Sequence, residues 1–152
     1  MRDYYRLAKP GIVYGNALPA IAAFLFASTR SGFSLLLFVA MLIGLSGCIA
    51  SACVINNVID RDIDARMERT KARAIPMKRI SVRNALIFAG ALLVVGCAVL
   101  FLFTNLLTLA VTLFGVFVYL CLYTPLKRIS LHSTIVGAVA GAVPPVVGYV
   151  AV

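Results

Sequence analysis

Asn56, Asp60 and Asp64 stand four residues apart in the run NNVIDRDID, directly after a long apolar segment. On a helix each step of four residues advances about 6 Å along the axis and about 40° around it, so the three oxygen-bearing side chains form a narrow, slanted ladder. Asp62 points roughly to the opposite side. The plain alternative is a solvated helix end in which Asp60, Asp62 and Asp64 pair with Arg61, Arg66 and Arg69. Asn56 argues against it, because it carries the ladder back into the apolar helix, where an amide without a partner is costly. Amide and carboxylate oxygens with no histidine or thiol beside them favour a hard cation, and so few protein ligands suit Mg2+, which keeps waters and substrate phosphates in its shell. The segment behind the ladder, ARMERTKARAIPMKR, is dense in cations. Read as helix, it sets Arg69 and Arg73 on one side as grips for phosphate oxygens, with Lys71 as a point charge. Carboxylates for a metal beside cations for a polyanion suit a metal-bound diphosphate.

The rest of the chain must hold that locus in a membrane. Its 152 residues are 62% hydrophobic and 12% charged. That is beyond what a soluble core of this size needs. The expected fold is all-α, a polytopic transmembrane helical bundle in one membrane domain, residues 1–152. Five runs are long enough to cross a hydrocarbon layer of about 30 Å: residues 11–28, interrupted by Pro19, then 33–59, 82–104, 106–124 and 131–152. The 104–106 junction leaves room only for an antiparallel hairpin. The formal net charge is +9, yet the basic residues sit in short connections, a topology signal rather than a nucleic-acid surface. Thirteen of the fourteen lie before the first run, from Arg61 to Arg83 at the start of the third, or between the fourth and fifth; only Arg30 lies on the other side. The positive-inside rule therefore places the N-terminus and the ladder in the cytoplasm. No cleavage pattern follows the first run, so it is not expected to be a removed leader.

Other features read as packing. Cys48, Cys53, Cys97 and Cys121 match no metal or redox spacing. Gly44 with Gly47, and Gly137 with Gly141, predict close helix contacts. The pair Pro144-Pro145 predicts a break or kink in the last run. His132, beside Lys127 and Arg128, reads as an interfacial structural residue, and Asn16 as a helix–helix hydrogen bond or a cavity-lining group.

The segment NNVIDRDIDARMERTKAR resembles the first aspartate-rich motif of the UbiA superfamily of intramembrane prenyltransferases, in which an Asn is followed by Asp at four and eight residues. LAKPGIVYGN, SGCIASACVINN, YTPLKR and GAVAGAVPPVVGY extend the resemblance across most of the chain, toward the protohaem IX farnesyltransferase branch. The resemblance implies a bundle of nine transmembrane helices around a central cavity, of which five lie here. It implies that Asn56, Asp60 and Asp64 hold Mg2+ bridged to a prenyl diphosphate, and that Arg69, Lys71, Arg73 and Lys127 bind the diphosphate. Lys9 matches a basic position of that family at the start of the first helix, and Asn16 lies where it would line the cavity. Tyr123 and Lys127 fall in the family's Tyr-x3-Lys position and complete a catalytic set with Asp60 and Asp64. The implied substrates are farnesyl diphosphate and haem B, in a bacterial cytoplasmic membrane. A sibling enzyme prenylating an aromatic ring, or a non-catalytic membrane scaffold, are the alternatives.

Two departures stand out. The family's Arg-Pro-Leu-Pro reads Arg73-Ala74-Ile75-Pro76 here, and Lys78-Arg79 replaces a frequent glycine. After Asp64 the only acid is Glu68, so the family's second aspartate-rich motif is not present. The expectation is the first half of a longer enzyme, inactive by itself.

Overall fold

The computed structural model describes residues 2–152, and among them every regular element is helical. A short helix α1 (Arg2–Leu7) leads into α2 (Pro10–Ser31) and α3 (Leu35–Ile59). A single turn of helix, α4 (Arg61–Asp64), follows, then a run of turns, then α5 (Val82–Phe103). Next come α6 (Leu106–Phe117), a π-helical stretch (Val118–Tyr123), the short α7 (Thr124–Leu126) and α8 (Ser133–Val150). Five segments are long and apolar enough to cross a membrane: α2, α3, α5, Leu106–Leu126 and α8. Large apolar side chains on their outer faces, such as Leu18, Val94, Leu102 and Leu106, are about two-thirds exposed. A surface of that kind suits lipid rather than water.

Local chemistry sets the ends. Ser34, Ser81 and Asn105 accept hydrogen bonds from the backbone N–H groups of Leu37, Asn84 and Thr108, and so begin α3, α5 and α6. Asn105 also donates to the Val150 carbonyl at 2.6 Å, tying the tight α5–α6 corner to the end of α8. Pro10 opens α2 at a position whose N–H has no helical partner, and Lys9 before it adopts a left-handed backbone (φ 51°) that turns the chain out of α1.

Small residues bring the helices together. A Cβ on Gly96 would stand 2.8 Å from the Gly44 carbonyl and 2.9 Å from Cys48 Sγ, and one on Gly47 would stand 3.2 Å from the Leu92 carbonyl. So α3 and α5 meet nearly backbone to backbone, as Gly44 and Gly47 predicted, with Gly96 as the partner the sequence left unread. Ser51 donates across this seam to the Ala89 carbonyl at 2.8 Å. Gly148 packs directly on the Ala20 carbonyl, which joins α8 to α2. Two apolar cores result. One gathers Leu7, Val58, Ile75, Ile80 and Ala85 at the basic end of the bundle, and the other gathers Phe24, Met41, Leu45, Val143 and Val147 deeper between α2, α3 and α8.

Several expectations change. Neither Pro19 nor Pro144-Pro145 breaks its helix: α2 and α8 run through them. A proline inside a helix removes one N–H and frees one carbonyl a turn earlier, and the flanking turns keep their own bonds. The segment after Ala65 is a series of turns rather than helix, so Arg69 and Arg73 do not share a helical side. Gly141 meets nothing within 4 Å of an added Cβ, so of the pair Gly137/Gly141 only Gly137 makes a close contact, with the Tyr123 ring. Lys71 pairs with Glu68 at 2.6 Å in the open.

Candidate functional site

The ladder forms even though α3 ends at Ile59. The Asp60 amide donates to the Asn56 carbonyl at 2.9 Å, and the Asp64 amide to the Asp60 carbonyl at 2.8 Å, so the four-residue spacing is kept across the junction. Asn56, Asp60 and Asp64 are buried, whereas the Asp62 side chain is 68% exposed and pairs with Arg61 at 3.6 Å. The solvated-end reading therefore describes Asp62 alone.

Cations from distant parts of the chain meet each rung. Lys127 donates to Asp60 Oδ2, and Arg128 donates to Asp60 Oδ1 at 3.0 Å and to the Ile59 carbonyl at 2.7 Å. Arg73 donates to Asp64 Oδ2 at 2.6 Å. Lys9 Nζ donates to Asn56 Oδ1 at 2.8 Å, and the Asn56 amide donates to Thr124 Oγ1 at 3.1 Å. The π-helical turn explains that last contact. It places the Thr124 hydroxyl on the Tyr119 carbonyl five residues back, at 2.8 Å, and aims its oxygen at Asn56. The same turn stacks Tyr119 on Tyr123, ring centroids 5.5 Å apart, and Lys127 Nζ lies 5.7 Å from the Tyr123 ring centre.

Burial raises the Asp60 pKa, but the hydrogen bonds and charges of Lys127 and Arg128 outweigh it, so the carboxyl is held below its usual range. Burial lowers the Lys9 ammonium below the ordinary lysine value. Both carboxylates of the ladder are already faced by cations of the chain itself.

Two cavities are lined by neighbours of the rungs rather than by the rungs themselves. One, of about 470 Å³, opens between α2, α3, the π-helical stretch and α8, where Cys53, Tyr119, Tyr123, Gly141 and Pro144 are among its walls. Asn16 lines it, with its amide on the Ile12 carbonyl of its own helix at 2.7 Å rather than on another helix. The other, of about 350 Å³, is basic: Arg6, Lys9, Arg69, Arg73 and Arg79 line it with Asn57 and one acid, Asp3. Arg69 and Arg73 thus come to one pocket through turns rather than through a helix. Lys71 stays outside it. Arg128, Thr124, Tyr119 and Asn57 are site residues that sequence reasoning missed. Arg128 beside Lys127 and the tandem Asn56-Asn57 were visible signals, whereas the π turn that delivers Thr124 and Tyr119 was not.

The donor set fits Mg2+. It offers two carboxylates and one amide oxygen, each of which accepts from a cation of the chain itself in this structure. A hard ion that fills its shell with water and phosphate oxygens matches so few ligands.

Known proteins resemble this chain over most of its length. The model of the UbiA prenyltransferase family matches residues 16–152. A protoheme IX farnesyltransferase of Francisella tularensis subsp. novicida is 46% identical over 153 residues, covering 99% of this chain and 54% of that protein. One from Baumannia cicadellinicola is 42% identical, covering all of this chain and 53% of that protein. The chain therefore spans about half the length of the curated relatives it matches. Among solved structures, a UbiA homolog from Archaeoglobus fulgidus bound to DMAPP and Mg2+ superposes with a TM-score of 0.86 at 23% identity, over 98% of this chain and 54% of that one. The same homolog bound to GPP and Mg2+ gives 0.82 at 22% identity. At that identity the likeness speaks for the fold. This multi-pass, all-helical membrane chain belongs to the UbiA prenyltransferase family.

Proposed function

We propose that this chain carries the metal-and-diphosphate half of a Mg2+-dependent prenyltransferase that moves a farnesyl group from farnesyl diphosphate to haem B. The observation that carries the reading is the buried ladder Asn56–Asp60–Asp64, met by Lys127, Arg128 and Arg73, beside a 470 Å³ cavity walled largely by apolar helix faces. The names of the relatives support haem as acceptor and farnesyl as donor. The ligands of the archaeal homolog support an allylic diphosphate held with Mg2+.

In this reading Asp60 and Asp64, with Asn56, hold Mg2+, which when bound supplies a divalent charge for the diphosphate oxygens. Cleavage of an allylic carbon–oxygen bond loads negative charge onto the leaving diphosphate. Fixed cations at that point stabilise the transition state more than the ground state. Lys127, Arg128 and Arg73, now on the carboxylates, would share their charge with a bound diphosphate, and Arg69 would add charge from the basic pocket. The prenyl chain takes the apolar cavity. There Tyr119 and Tyr123 present ring faces at the reacting end, and Thr124 keeps Asn56 oriented. The apolar helix faces along the cavity limit the access of water to an allylic cation.

The reading is tested in membranes from cells expressing the complete gene. Farnesyl diphosphate, Mg2+ and haem B are expected to give a farnesylated haem on chromatography, and 4-hydroxybenzoate in place of haem is expected to give none. Product from the aromatic acid alone would move the protein to the aromatic branch, and no product from either acceptor would favour a scaffold. The ladder and N-terminus lie on the cytoplasmic side of a bacterial membrane in this reading. A cysteine at Ala65 should then label from the cytoplasm and one at Asn105 from the opposite face.

A further inference from the structure

Asn57, next to the ladder in the lining of the basic pocket, is only 3% exposed and uses both ends of its amide. Its Nδ2 donates to the Leu7 carbonyl at 2.8 Å, and its Oδ1 accepts from Arg73 Nη1 at 3.3 Å. The same Arg73 nitrogen donates to Asp64 at 2.6 Å. One buried amide therefore links the end of α1 to the guanidinium that faces the last rung.

The element on the far side of that link is firmly seated. Leu7 is buried in the core formed by Val54, Val58, Ala74, Ile75, Ile80, Ala85 and Ala89. Tyr4 meets Phe88 edge to face with centroids 5.1 Å apart, and Asp3 pairs with Arg79 at 3.3 Å. Two residues past Leu7, Lys9 turns through its left-handed backbone and reaches Asn56. The adjacent asparagines thus both hold the N-terminal segment, Asn56 through the Lys9 side chain and Asn57 through the Leu7 carbonyl. Adjacent side chains near a helix end project about 100° apart. That divergence lets Asn56 serve the ladder while Asn57 faces α1 and the basic pocket.

We infer that Asn57 is a positioning residue: anchored on α1, it sets Arg73 where that guanidinium can face Asp64 and an incoming diphosphate. The inference rests on the diphosphate reading above. An arginine has several rotatable bonds and a costly side-chain entropy, so a second fixed acceptor on the same Nη1 narrows the positions it samples. No other side-chain oxygen besides Asp64 accepts from Arg73 among the described residues. Removing the Asn57 amide would leave the Leu7 carbonyl without this donor and free Arg73 to swing into the basic pocket.

The test is a double-mutant cycle read as Mg2+-dependent binding of inorganic pyrophosphate to the purified protein in detergent, by calorimetry. Asn57→Leu is expected to weaken that binding about tenfold in the otherwise unchanged protein and to add almost nothing in an Arg73→Gln background. Asn57→Ser, shorter and unable to span both partners, should behave alike and serves where the leucine variant does not fold. A role confined to stability would not depend on Arg73. Unchanged affinity, or an equal loss in both backgrounds, would overturn the positioning role while leaving the functional reading intact. Absence of Mg2+-dependent pyrophosphate binding in the unsubstituted protein would overturn both.

Discussion

Both cavities draw on the second half of α3, Cys53 lining one and Asn57, a turn later, lining the other, yet they are built by opposite means. The larger is a product of helix packing. Its walls are long helices held close by Gly115 and Gly137, and by Gly148 farther along α8, and its Asn16 and Thr112 donate to carbonyls of their own helices. The smaller is a product of charge. Its walls come from α1, the turns after Ala65 and the last turn of α3, and its shape depends on ion pairs and an amide linking residues far apart in sequence. A site of the first kind can be reshaped by a methyl group, and one of the second kind by a single charge. In the proposed reaction the first would serve as an apolar slot for a prenyl chain and the second as part of a cationic seat for its leaving group.

That contrast predicts different consequences for substitutions on the two sides. The largest belongs to the charged side. Asp60→Asn and Asp64→Asn should each lower prenyl transfer by on the order of a thousandfold, the scale of losing a preorganised electrostatic group, while membrane insertion persists. Near-normal turnover of either variant in Mg2+ would remove the ladder from the chemistry.

On the packing side the expected effects fall on stability. Gly148→Ala drives a Cβ into the Ala20 carbonyl and should destabilise the bundle by about 1–3 kcal/mol, read as a lower unfolding temperature in detergent. Gly141→Ala, whose Cβ would meet nothing, should leave that temperature unchanged and only narrow the cavity. Equal behaviour of the two would mean that α2 and α8 are not packed as described.

A smaller effect sharpens the charged side. The Asp60 carboxyl is held below its ordinary value, so the stability it contributes is present above the unfolded carboxylate pKa, about 3.9. It is lost as the pH falls through the lower folded value. Lys127→Gln removes one of the two cations and should raise the folded value, moving the acid limb of the stability profile to higher pH. An acid limb that does not move would mean that Lys127 and Asp60 are not paired in solution.

How much of this was legible in the sequence follows the same division. The ladder, the apolar runs and the α3 glycines are local patterns with fixed helical periods, and a four-residue spacing places side chains whatever the rest of the chain does. Lys127 was assigned through a resemblance, whereas its pairing with Asp60 spans 67 residues and is a property of the bundle. The basic connection was misread as helix because Arg69 and Arg73 fit a four-residue spacing. Pro76 and the buried Ala74 and Ile75, which fold the segment back onto α3 and α5, outweighed it. Proline had the opposite fate inside α2 and α8, where surrounding helices kept the chain helical through it. Thr124 was invisible for a third reason: a π turn adds a residue to the repeat and shifts every later side chain by about 100°, which no fixed period anticipates.

The central claim is that the carboxylate ladder, already faced by its own cations, receives a prenyl diphosphate only together with Mg2+. Its most direct test is calorimetric titration of the purified protein with farnesyl thiodiphosphate, a poorly cleaved analogue, in Mg2+ and in chelator. The account predicts binding that requires Mg2+ and is largely lost in Asp60→Asn, with the chelated protein binding at least about tenfold more weakly. Equal affinity in chelator, or full affinity in the combined Asp60→Asn and Asp64→Asn variant, would contradict it.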